Sequence, residues 1–328
     1  MDQQGKTEMN DGELTLDSPF SLRLRAYLDE RFPLFRHVCM VIIYFLANQF
    51  LAQVLGNPEE PLRVGWFSLL GMVFLFCIFF HLRVFDEHKD YKDDIIHYPQ
   101  RILSRGMITL THLKVLGAIA IFLEIICAAV SGWSAIVAVG VAILFSWILL
   151  HEFFIPVWLR AHFIIYAIVH MLIMPLLTAT IFSFTMQRPF WEAPWLFWAY
   201  AAADFFAFAN WEISRKIRMP EDEIEGVSSY SAEFGMFTAG YVVLFLRILN
   251  TVLAWIVGIY LHLGVFYYAG LLFLFLGTCV GLLRFRLHPS RKTAAQLESY
   301  GGAYIILFYF VLAAELVRTH GVTFGGSF

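Results

Sequence analysis

Nine apolar runs, at 34–55, 64–82, 109–131, 133–150, 161–185, 193–211, 234–259, 263–283 and 300–317, dominate this chain of 328 residues. Each approaches the ~20 residues that an α-helix needs to cross a hydrocarbon core ~30 Å thick. Backbone N–H and C=O groups inside that core must be satisfied within the protein. The runs lack the period-2 alternation of barrel strands, so they predict helices. The fold class that follows is all-α, a polytopic membrane bundle of nine transmembrane helices. Composition agrees: 59% of residues are hydrophobic, 15% are charged and mean hydropathy is +0.68. Soluble domains run near ~45–50% apolar and ~25% charged, and cannot hide this much apolar surface.

The charged residues give an orientation. Of 23 lysines and arginines, only Arg63, Arg188, Arg247 and Arg318 fall outside the segments that share a side with the N-terminus. Positive residues collect on the cytoplasmic side, which predicts an inside N-terminus and an outside C-terminus. Residues 1–33 read as a cytoplasmic N-terminal segment without a cleavable leader, and 34–328 as one transmembrane domain. Within the first, 18–32 opens with Ser18-Pro19 and sets Leu22, Leu24, Leu28 and Phe32 among arginines. That pattern predicts an amphipathic helix along the membrane surface with no part in chemistry.

The net charge of −3, a pI near 6.4 and the lack of a basic block argue against nucleic acid, which leaves the lipid bilayer as the expected macroscopic partner. Cys39, Cys77, Cys127 and Cys279 stand singly in apolar runs, with no metal-ligand spacing among them.

Chemistry concentrates in two charged connections. The first reads RVFDEHKDYKDDIIHYPQRILSRG from Arg83, with Asp86, Asp90 and Asp94 four residues apart. On a helix the three carboxylates share one face, where like charges cost some tenths of a kcal/mol per pair unless a cation joins them. Magnesium, a hard ion that binds one or two carboxylates together with substrate phosphate, suits the pattern. Lys89, Lys92, Arg101 and Arg105 stand nearby as phosphate donors. The alternative is a solvated face laced with salt bridges.

The second connection follows an apolar run that contains Asp204, then Asn210, Glu212, Arg215 and Lys216, and continues through RMPEDEIEG with Asp222 and Gly226. Positions 204, 208, 212 and 216 share a helical face. Asp204, inside a span, predicts a polar cavity beside it, whereas Glu212 and Lys216 also suit a simple i, i+4 pair. Both connections leave a helix with acids and reach a glycine, Gly106 or Gly226, a hint of internal duplication.

These residues resemble the UbiA superfamily of intramembrane prenyltransferases. Its first motif, NDxxDxxxD with an arginine five residues before a glycine, is matched by Asp86-Glu87, Asp90, Asp94, Arg101 and Gly106, with Ile102 in place of a proline. Its second, NxxRDxxxDxxxG before Leu-Gly, is matched by Glu212, Arg215, Asp222, Gly226 and Phe234-Gly235. Lys216 replaces that motif's first aspartate, and a charged lysine does not ligate magnesium.

The resemblance implies nine helices around a central cavity, a prenyl diphosphate held through magnesium, and transfer of the prenyl group to an aromatic or lipid-like acceptor. It assigns metal binding to Asp86, Asp90, Asp94 and Asp222, and diphosphate binding to Lys89, Arg101, Arg105, Arg160, Arg215 and Lys216. Asp204 and Glu212 become the candidates for accepting a proton or holding metal. Tyr44, Tyr166, Tyr200, Trp211 and Tyr241 are candidates to border an allylic cation. His151, Glu152, His162 and His170 are candidates to line an acceptor pocket.

Two other readings stay open on the sequence. A terpene cyclase of the same superfamily would need no acceptor. A transporter would use Asp204, Glu124, Arg247 and Glu315 as an intramembrane relay. A histidine-iron desaturase is excluded, because the eleven histidines include no HxxxH or HxxHH pair.

Overall fold

The computed structural model describes residues 14–325, so the expectations on 1–13, among them a cytoplasmic Lys6, lie outside the described residues. Helix α1, Phe20–Arg31, precedes α2, Leu34–Gly56; a short strand β1, Leu62–Val64, leads into α3, Trp66–His97. The chain continues through α4, Leu110–Ser131, α5, Trp133–Leu150, α6, Pro156–Ala161, α7, Phe163–Met171, and α8, Ile173–Met186. It closes with α9, Trp195–Ser214, α10, Tyr230–Phe234, α11, Met236–Tyr260, α12, Val265–Leu287, α13, Arg291–His320, and strand β2, Val322–Phe324.

Among the described residues, eight units are long and apolar enough to cross a membrane, with α7 and α8 counting as one. The ninth expected span is α9, a full helix made less apolar by Asp204, Asn210 and Glu212. The α7–α8 break follows from Pro175, which cannot donate to the carbonyl four residues back and crowds it sterically. Gly132, at φ +106, turns α4 directly into α5. Helix α13 begins nine residues before the expected 300, because Ser290 caps it by accepting from the Thr293 N–H at 3.2 Å.

Helices α2, α8, α9 and α13 pack together, with α3, α4 and α5 on one flank and α11 and α12 on the other. Tyr44, Phe45, Phe74, Phe184, Phe197, Tyr200 and Tyr309 are fully buried among them. Outward, Val115, Ile119, Phe122, Ile126 and Val130 form an exposed apolar stripe on α4, a surface suited to lipid. Trp133, Trp191, Trp195 and Tyr260 stand exposed where helices turn at the end opposite His97, as an interfacial aromatic belt does. The chain is a multi-pass integral membrane protein. At that same end β1 and β2 pair in parallel, Leu62 against Val322, a tie too short to leave a sequence signal.

Charged groups within the bundle make separate contacts. Glu124 meets His81 at 2.7 Å, Arg247 donates to Asn210 at 2.7 Å, and Glu315 pairs with Arg318 at 2.7 Å. Asp204 accepts from Thr178 at 2.8 Å. The four residues of the relay reading thus belong to four unconnected contacts.

Candidate active site at the end of the third helix

A helix of 32 residues such as α3 runs ~48 Å, well beyond a ~30 Å hydrocarbon core. Its last turns therefore carry Asp86, Lys89, Asp90, Asp93 and Asp94 past the apolar layer on continuous helix. The side chain of Asp86 is 45% exposed and lies 3.4 Å from Lys89 Nζ and 3.9 Å from Arg83 Nη1. Asp90 has no hydrogen-bond or ion-pair partner among the described residues. Asp94 is committed elsewhere: Arg101 Nη1 donates to it, and Arg31 Nη2 stands 3.8 Å away. The Arg101 guanidinium also stacks 3.7 Å above the Tyr98 ring.

Helix α1 is more than a lead-in. It buries Tyr27 against Val84, Ile102, Leu103 and Met107, and Glu30 accepts from the Ile102 N–H at 3.1 Å. Arg31 Nε bonds the buried Glu87 at 2.6 Å. Burial works against the Arg31 charge, but Glu87 and then Asp94 hold its pKa above the ordinary arginine value. Sequence reading missed Arg31: a lone arginine in an amphipathic segment carries no signal of a carboxylate 56 residues away. Glu87, matched above to a motif acid, faces α1 instead of the carboxylate row.

The α5–α6 turn brings in a second wall. Glu152, Phe153 and Phe154 have φ of 48, 56 and 60°, three consecutive non-glycine residues in left-handed conformation. Each costs ~1–2 kcal/mol relative to right-handed backbone. The turn buries Glu152, whose two carboxylate oxygens accept from Arg160 Nε at 2.9 and 3.1 Å. Tyr166 on α7 donates to the same carboxylate at 3.2 Å, and its ring lies 5.6 Å from Lys89 Nζ. Lys89 also approaches His170 Nε2 at 3.5 Å, while Arg160 Nη1 stands 3.9 Å from Asp93. The hydrogen bond to Glu152 raises the Arg160 pKa, with burial a weaker opposing effect.

The third wall is the end of α9. Glu212 receives Arg215 at 2.6 Å and Lys216 at 2.8 Å. Burial lowers the Arg215 pKa, but Glu212 chiefly, then Asp86 and Glu298, raise it overall. The other predicted residues are placed apart. Asp222 is held by Arg291 at 2.6 Å, and Arg105 donates to the Leu14 carbonyl at 3.3 Å. Asp204 is fully buried, with Tyr44, Tyr200 and Tyr309 filling the bundle around it, so it faces packed interior and not an open polar cavity. A cavity of about 460 Å³ beside Arg218, Glu223 and Ser231, and one of about 250 Å³ between Arg215 and Arg291, flank the α9–α11 loop. The two charged connections also differ in conformation: the first stays helical to His97, whereas the second breaks at Ser214 into a loop.

No family model matches the sequence, and no curated protein matches it. Solved structures do. A digeranylgeranylglyceryl phosphate synthase superposes with a TM-score of 0.61 at 18% identity, covering 90% of this chain and 99% of that one. An apo UbiA homologue from Aeropyrum pernix K1 gives 0.65 at 14% identity, covering 86% and 98%. This chain has the UbiA fold. A UbiA homologue from Archaeoglobus fulgidus, bound to GPP and Mg²⁺, also matches, at 0.51 and 14% identity over 85% and 99%. Likeness over nearly the whole of each neighbour means that the UbiA fold accounts for the entire bundle.

Magnesium fits the α3 wall of this UbiA fold. Asp86 and Asp90 project from one helical face with Asp90 unengaged, and that is the supply of carboxylates this ion takes before phosphate completes its shell. Among the described residues no three His, Cys, Asp or Glu side chains converge into a ready-made cage. The α9 wall does not fit a second ion, because Glu212 is already neutralised by two cations.

Proposed function

We propose that this protein is a magnesium-dependent prenyltransferase that moves a prenyl group from a prenyl diphosphate to an aromatic or lipid-like acceptor. One observation carries the reading: the unpartnered Asp90 and the half-exposed Asp86 share one end of a UbiA-fold bundle with cations of two other segments, Arg160 of α6 and Arg215 and Lys216 at the end of α9. Neighbours of this fold include a digeranylgeranylglyceryl phosphate synthase and a homologue bound to GPP and Mg²⁺.

Asp86 and Asp90 are the residues that would hold magnesium. When bound, the ion supplies charge that stabilises the departing diphosphate. Arg160, Arg215, Lys216 and Lys89 donate to phosphate oxygens and are already held by carboxylates, so little reorganisation accompanies charge development. Asp94 serves the site by fixing Arg101 and Arg31. Glu212 fixes Arg215 and Lys216, and Lys216 supplies in protein form the positive charge of a second ion. The prenyl chain lies toward the apolar bundle, where Tyr166 and its neighbours exclude water from the reacting carbon. The excess of lysine and arginine at this end supports a cytoplasmic site.

The test is mass spectrometry of products from purified protein given geranyl, farnesyl or geranylgeranyl diphosphate, magnesium and a membrane lipid extract. Prenylated acceptor with released pyrophosphate is the expected result. Cyclised hydrocarbon formed without acceptor makes the protein a cyclase instead, and absence of pyrophosphate release with all three donors overturns the assignment.

A further inference from the structure

The contact between Glu152 and Arg160 is one-sided. Both carboxylate oxygens converge on Nε, at 2.9 and 3.1 Å, while Nη1 has only Asp93 at 3.9 Å and Nη2 has no partner among the described residues. A guanidinium is a planar fork whose edges can each meet a phosphate with two parallel hydrogen bonds, and with Nε taken the Nη1–Nη2 edge is the one left for that. Glu152 is buried, whereas the Arg160 side chain is 52% exposed. The protein therefore grips the inner end of this fork and leaves the outer end beside the α3 carboxylates. The grip depends on the backbone: the only run of consecutive non-glycine left-handed residues in the described chain is the one that turns Glu152 inward. Tyr166 donates at 3.2 Å to Glu152 Oε1, the oxygen that Arg160 Nε approaches at 2.9 Å, and so helps to fix the carboxylate.

We propose that Glu152 is the positioning residue for a diphosphate-binding Arg160, and that the left-handed turn at 152–154 serves to place it. The ligand class, a diphosphate, rests on the function proposed above; the geometry of the pair does not. Sequence reading had offered Glu152 to an acceptor pocket and Arg160 to the diphosphate as unrelated residues. In the structure they form one device, and its action is to aim the arginine.

Calorimetric titration of the purified full-length protein with inorganic pyrophosphate and magnesium tests this. Arg160→Ala weakens binding by about tenfold or more, the scale of a charge-assisted hydrogen bond, and Glu152→Gln weakens it by several-fold. The double variant binds no more weakly than Arg160→Ala alone, because Glu152 acts only through the arginine. A Glu152 with a purely structural role would lower the unfolding temperature and leave the affinity of the folded protein unchanged. Wild-type affinity in Glu152→Gln, or losses that multiply in the double variant, overturns the proposal. Should Glu152→Gln fail to fold, Arg160→Lys is the second probe: it keeps the charge but has no Nε to grip, so it too binds several-fold more weakly, and wild-type affinity there overturns the proposal equally. Wild-type protein that binds no pyrophosphate removes the proposed function itself, and this inference with it. Pyrophosphate binding that Arg160 and Glu152 do not influence removes the inference alone.

Discussion

Asp90 has the fewest protein partners of the three carboxylates in the α3 row, and the site depends on that. Asp94 is held by Arg101 and Arg31, and Asp86 is shared with Lys89 and Arg83. Asp90→Ala should reduce turnover by at least ~100-fold while leaving the unfolding temperature within a degree or two, because it breaks no contact within the protein. Chelation with EDTA should stop wild-type turnover, and added magnesium should restore it; turnover that persists in excess EDTA refutes the metal reading. Lys216→Asp removes a cation and adds a carboxylate one turn from Glu212, so activity should come to depend on a higher magnesium concentration, read from a metal titration of initial rates. The row of aspartates was legible because their spacing has meaning only on a helix. The pairings that decide their roles were not, since Arg31 with Glu87 and Arg160 with Glu152 depend on packing between separate segments.

At the scale of elements, α1 and α3 behave as one unit. Arg31 closes over Glu87, and removing one partner from a buried pair leaves an uncompensated charge. Arg31→Ala should cost about 3 kcal/mol, measured as a shift in denaturation midpoint, and should loosen residues 98–108, which hang from α1 through Glu30. An unchanged midpoint would show that α1 merely rests on the bundle. Long apolar helices and the Pro175 break were readable from hydropathy and proline chemistry. The early start of α13 was harder, because Arg291, Lys292 and Glu298 conceal helix in a stretch that is not apolar, although Ser290 marks its cap. The strands were out of reach, with three residues each and partners 260 positions apart.

For the whole molecule, the count turns on α9: if it crosses with the eight apolar helices, the two ends of the bundle chain lie on opposite faces. Reporter domains fused before α1 and after β2 should therefore differ in protease accessibility in sealed vesicles, and protection of both or neither would revise the count. Eight long apolar helices were legible from apolar run length alone, whereas α9, expected as a ninth, is a helix too polar to join them on composition. The interior was less so, because Asp204 signals polarity but not that tyrosines close around it.

The uninterrupted α3 imposes a gearing on the molecule. Each residue deleted between Trp66 and Arg83 would swing the aspartates by about 100° and draw them inward by ~1.5 Å, whereas a seven-residue deletion restores their facing to within ~20°. Length changes in that rod should thus be felt periodically, with the phase of a screw thread setting which neighbouring segment the carboxylates confront.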